Sequence, residues 1–141
     1  MIVRFVHPEM QHTSWLTHGG EYVVLSIEMF HGKAHFRVIG DEGGRVHGVA
    51  EIRGFEIVDG RMSSTWVVSR DGESITIGPA AWARIDFWDD FDGDWFDAMT
   101  FDDMAGRNRS AVRAFDSAVA HLFIEAGREW PNTPDAASDI T

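Results

Sequence analysis

The stretch Trp66-Val67-Val68-Ser69-Arg70-Asp71-Gly72-Glu73-Ser74-Ile75-Thr76-Ile77 decides the fold. An Asp-Gly pair sits between β-prone runs. That is a strong hairpin signal, because a type I′ turn needs positive φ at both central positions. With Asp71-Gly72 as a two-residue loop, Arg70 faces Glu73, Val68 faces Ile75 and Trp66 faces Ile77. The apolar pairs then share one face, as a half-buried antiparallel ribbon requires.

Upstream, Asp59-Gly60 repeats the signal. Glu21 to Phe30 reads as one strand, with Val23, Leu25, Ile27 and Met29 on one face and Tyr22, Val24, Ser26 and Glu28 on the other. Gly32 supplies a turn and Ala34–Ile39 a return strand. Residues 1–7 alternate weakly and read as a first strand. Downstream, Gly78-Pro79 ends the β region, and Pro79–Arg84 suits a short helix with proline at its first position. In residues 109–126, Ala111, Phe115, Ala118, Val119, Leu122 and Ala126 recur at helical spacing. Asn108 or Ser110 suits the cap of that helix, and Gly127 its C′ position. The pattern predicts an α+β fold. A mainly antiparallel β-sheet from the N-terminal two-thirds packs with C-terminal helices in one domain, residues 1–130, and 131–141 form a loose tail.

The chain has 141 residues, ample for one core. It has 12 Lys and Arg against 23 Asp and Glu, a net charge of −11. Such a charge repels nucleic-acid phosphates and favours fast association with a cationic partner. Cysteine is absent, which excludes disulfides, thiolate metal sites and Cys nucleophiles. No apolar run approaches a membrane span, and the first residues do not read as a signal peptide. A cytoplasmic location is expected. Monomer and homodimer are both compatible with the sequence.

The outstanding feature is Asp86 to Asp103, with eight Asp and no Lys or Arg. Phe87, Trp88, Phe91, Trp95, Phe96, Met99 and Phe101 lie between them. Rings at this density predict anchoring on the sheet. The carboxylates must then project outward, because an unpaired buried charge is too costly. Charge of this kind speeds association, and central aromatics act as hot spots. The expected partner-binding residues are Asp89, Asp90, Asp92, Asp94 and Asp97, with Trp88 and Trp95 as anchors. The competing reading is a solvated acidic segment neutralised by Arg107, Arg109 and Arg113.

Motifs for chemistry are missing. Asp90–Asp94 places its glycine one step wrong for an EF-hand, and no Glu follows at the twelfth position. A carboxylate pair for glycoside hydrolysis would need a fixed sugar cleft. His31 and His35 flank a turn, and the other histidines read as scattered surface residues, so no metal or cofactor site is expected. His18-Gly19-Gly20 lacks the G-x-S-x-G partner of an esterase. The tryptophans read as packing. An aromatic-lined pocket in a small-molecule-binding domain or enzyme is the alternative.

Glu21–Ile27, Phe55–Gly60 through Trp66–Val68, and Phe87–Phe91 together resemble small bacterial immunity proteins encoded beside polymorphic or contact-dependent toxins. The resemblance spans residues 21–101. It implies a cognate protein toxin as partner, neutralised by direct protein–protein binding. It brings no catalytic residues.

Overall fold

A computed structural model describes residues 1–10, 14–84, 86–92 and 102–135. Its strands are β1 (Ile2–Phe5), β2 (Glu21–Val23), β3 (Ser26–Phe30), β4 (Lys33–Ile39), β5 (His47–Glu51), β6 (Phe55–Asp59), β7 (Trp66–Asp71) and β8 (Ser74–Pro79). Its helices are α1 (Phe87–Asp92) and α2 (Asp102–Ala126). The strands form two antiparallel sheets, one of three strands in the order β2-β1-β6 and one of five in the order β5-β4-β3-β8-β7. The fold is α+β, with the sheets in the N-terminal two-thirds and the long helix after them.

The expected single strand from Glu21 to Phe30 is two strands in two sheets. Val24 donates to the carbonyl of Met1 at 2.9 Å, and Leu25 to that of Arg37 at 2.8 Å. Consecutive residues thus bond to different sheets. Both side chains are fully buried, Val24 in one core and Leu25 in the other. The change of sheet breaks the period of two. Leu25 packs under the helices, yet Ile27 packs in the core between the sheets.

That second core joins Val3, Phe5 and Tyr22 of the small sheet to Phe36, Val38 and Ala50 of the large one. The first core lies under α1 and α2, where Leu25 and Ile39 meet Trp82, Phe87, Phe115, Val119 and Leu122. Phe5, Phe87 and Phe115 are among the largest fully buried side chains. Truncating any of them should cost about 3–5 kcal/mol.

The β7–β8 hairpin forms with a slipped register. Asp71 pairs with Ser74, Arg70 with Ile75 and Val68 with Ile77, so the loop is Gly72-Glu73. Gly72 has φ +60° and Glu73 has no positive φ. A two-residue loop with glycine at its first central position needs only that one positive φ, whereas the expected turn would force Asp71 into the left-handed region as well. A shift of two residues preserves sidedness, so Val68, Ile75 and Ile77 still share a face. Asp59-Gly60 makes no hairpin, because β6 pairs with β1 and β7 with β8. Asp59 instead holds the backbone N–H of Arg61 at 3.0 Å.

The expected helix at Pro79–Arg84 is one 3-10 turn, Ala80–Trp82, and Pro79 closes β8 before it. Helix α2 begins at Asp102, earlier than expected, and Asn108 and Ser110 lie inside it. Its end matches expectation. Gly127 has φ +68°. Gly127 donates to Ile124 and Arg128 to Phe123, each at 3.0 Å, which is a Schellman closure. Residue 131, the expected start of a loose tail, is docked: Gly44 donates to the Pro131 carbonyl at 2.8 Å, and Asn132 to that of Glu42 at 2.8 Å.

Gly43 (φ +69°) sits under this docked segment, and a Cβ there would lie 2.3 Å from the Pro131 carbonyl oxygen. Gly72 is also left-handed, but a Cβ there meets nothing within 4 Å. In urea unfolding, Gly72→Ala should lose about 1 kcal/mol from backbone strain alone. Gly43→Ala should lose about 3 kcal/mol, because Pro131 must also move.

Candidate functional site

The site is built around α1. Its sequence Phe87-Trp88-Asp89-Asp90-Phe91-Asp92 splits by side. Phe87 is fully buried and Trp88 and Phe91 half-buried, while Asp89 and Asp92 are exposed, as is Asp86 just before the helix. Rings inward and carboxylates outward is the arrangement expected from the composition. Asp90 is half-buried and accepts from Arg84 at 2.7 Å. Carboxylates in this first turn also suit the positive end of the helix dipole.

Beneath α1 lies a polar group on the large sheet. Strand register puts Ser26 opposite Arg37, and His47 opposite Ile39, so Ser26, Glu28, Arg37 and His47 share the face toward the helices. Arg37 donates through Nε and Nη2 to the two carboxylate oxygens of Glu28, the second bond at 2.9 Å. Ser26 Oγ donates to the same carboxylate at 2.9 Å. The Arg37 guanidinium carbon lies 4.3 Å from the centre of the Trp88 ring, a cation–π stack. Trp88 therefore points inward onto Arg37.

Arg37 Nη1 is 2.8 Å from His47 Nδ1. A guanidinium has no acceptor, so Nδ1 accepts and the imidazole hydrogen is on Nε2. The ring is enclosed by Trp88, Phe91 and Phe115, at centroid distances of 5.2, 5.6 and 5.1 Å. Burial, with the Arg37 charge next to it, holds His47 down at about 4, so it is neutral at neutral pH. Burial pushes the Glu28 carboxyl up. The hydrogen bonds and charge of Arg37, helped by Ser26, outweigh this and hold it below its ordinary value.

An open cleft of about 580 Å³ runs beside this group, lined by Arg45, Val46, His47, Phe91, Asp92, Asn108 and Val112. Its charges are mostly answered. Arg45 makes a two-pronged pair with the buried Asp116, at 2.8 and 2.7 Å. Asn108 Nδ2 donates to the carbonyls of Asp90 and Phe91, at 3.1 and 2.9 Å. Expected as the cap of α2, Asn108 instead satisfies carbonyls at the end of α1. Burial pushes the Asp92 carboxyl up, Arg37 draws it back and the Asp89 charge adds to the rise.

A second, smaller cavity of about 280 Å³ lies near Tyr22 and Asp41. Tyr22 donates to Asp41 and accepts from the Thr17 backbone, at 2.6 and 2.7 Å, and burial pushes its hydroxyl up to about 12.

Of the expected partner-binding residues, Asp89 and Asp92 face outward, Asp90 pairs with Arg84 and Trp88 covers Arg37. Asp94, Asp97 and Trp95 lie outside the described residues, as does part of the rejected calcium loop. The expected neutralisers Arg109 and Arg113 are exposed and form no ion pair with the described carboxylates. His47, expected on the surface, is half-buried. Its only sequence cue is its place opposite Ile39, diagonal to Arg37 on the same face, which depends on the β4–β5 register. Among the described residues, no group of three or more His, Asp or Glu side chains is placed to hold a metal ion. Comparison with protein-family models, curated proteins and solved structures finds no match to this chain.

His47 generates a pH dependence. Its folded value lies below the ordinary 6.5, so in acid the unfolded chain binds the proton more readily. Stability is therefore full above the unfolded value and falls as the pH drops toward 4. From pH 7 to pH 5 the loss should be roughly 2 kcal/mol in urea titrations. His47→Asn, whose Oδ1 can replace Nδ1 as the acceptor for Arg37, should flatten that slope. An unchanged slope would mean that another group titrates.

Proposed function

We propose that the chain is an immunity-type binding protein that neutralises a cognate bacterial toxin in the cytoplasm. It does so by docking the acidic face around α1 on a basic surface of that toxin. The observation that carries this reading is the division of α1. Its rings pack on Arg37, His47 and Phe115, while Asp86, Asp89 and Asp92 are exposed and form no ion pair among the described residues. Fixed charge on a rigid support steers an oppositely charged protein and favours one orientation of approach. The toxin as partner is what the immunity-protein resemblance implies.

The second reading, a small-molecule-binding domain or enzyme with an aromatic-lined pocket, draws on the cleft beside His47. Its volume lies within the usual range for such sites. Among the described residues that line it there is no Ser, Thr or Lys, and Arg37 already occupies His47 Nδ1. Those described residues do not assemble a nucleophile with its base.

The test uses the product of an adjacent toxin gene, with association measured across a salt series. Replacing Asp86, Asp89 and Asp92 together by Asn should slow association by about tenfold and flatten its salt dependence. The melting temperature should stay unchanged. Identical kinetics for the triple variant would remove this face from the interface.

A further inference from the structure

We propose that the cleft between α1, the start of β5 and α2 receives an arginine side chain of the protein partner, with Asp92 as counter-ion and Phe91 as the surface it lies against. This rests on the reading of the chain as a binding protein and identifies what the partner must present.

Arg45 is cancelled by Asp116, and Arg37, behind His47, by Glu28. His47 is neutral. Among the described residues lining the cleft, Asp92 alone carries charge that no partner answers. A cation fits such a cleft and an anion does not.

The walls favour guanidinium over ammonium. Phe91 and His47 are half-buried and line the cleft with aromatic edge, and guanidinium is planar, weakly hydrated and packs well against aromatic rings. It also brings five donors. Asp92 supplies two acceptor oxygens. Asn108 uses its Nδ2 on α1 carbonyls, leaving its Oδ1 as a third. His47 Nε2–H is the donor that Arg37 leaves over, suited to a main-chain carbonyl flanking the arginine. A volume of about 580 Å³ accommodates the side chain together with such flanking groups.

The experiment titrates the full chain with two probes, acetylated and amidated hexa-arginine and hexa-lysine, by calorimetry and NMR. Hexa-arginine should bind more tightly and shift the His47 ring signals. Asp92→Asn and Val112→Trp, which fills the cleft, should each weaken it by about tenfold. Asp89→Asn, outside the cleft, should weaken it by less than about twofold. Asp92→Asn keeps the side-chain shape, so the test stands even if Val112→Trp fails to fold. Equal affinity for both peptides, with Asp89→Asn as harmful as Asp92→Asn, would overturn the cleft while leaving the acidic face in place. No binding of either peptide would overturn both. Binding of free arginine amide as tight as that of the peptide would overturn the assignment to a protein partner.

Discussion

A guanidinium placed under a helix has to be answered on every side, and Arg37 meets that demand with parts from three elements. Glu28 on β3 supplies the opposite charge, His47 on β5 an acceptor nitrogen, and Trp88 on α1 a ring face. Ser26 completes the carboxylate. A buried ion pair contributes little net stability over apolar residues of the same shape, but losing one partner costs about 3–5 kcal/mol. The network therefore acts as a specification. It fixes where Trp88 must lie, hence how α1 is rotated, and hence which carboxylates look outward.

The helix can sit there because the chain changes sheet between Val24 and Leu25. The switch puts Val23 and Leu25 beneath the helices while Tyr22 and Val24 fill the space between the sheets. Trp66 packs against both cores and ties them together. At the far end of α2, the Schellman closure at Gly127 turns the chain so that Trp130 is buried and its indole N–H bonds the Gly44 carbonyl at 2.7 Å. The β4–β5 loop, and with it the approach to His47, is thereby braced by the C-terminal segment.

Much of this was legible in the sequence, and the exceptions have a common cause. Face and element type depend on neighbours a few residues apart, so the hairpin at residues 66–77, the long helix and its Gly127 end could be read directly. The slip of the hairpin by two residues follows from a choice between turn types that one Asp-Gly pair does not decide. Asp59-Gly60 misled because the partner of β6 is β1, at the other end of the β region. The inward rings and outward carboxylates of α1 followed from solvation cost alone. Arg37 and His47 left no local trace. Their meeting depends on the register of β4 against β5 and on a helix forty residues further on. The one hint is that Arg37 stands between Phe36 and Val38, both buried, in a strand otherwise rich in apolar residues.

Within the six residues of α1, structural duty and surface charge fall on separate positions. Replacement at Phe87, Trp88 or Phe91 disturbs the packed interior, whereas replacement at Asp89 or Asp92 alters only what the molecule presents to its surroundings. Such a segment is evolvable in a narrow sense. Its outer positions can drift through many residue types at almost no penalty to folding, while its inner positions stay constrained, so divergence among descendants should accumulate on one side of a single helical turn.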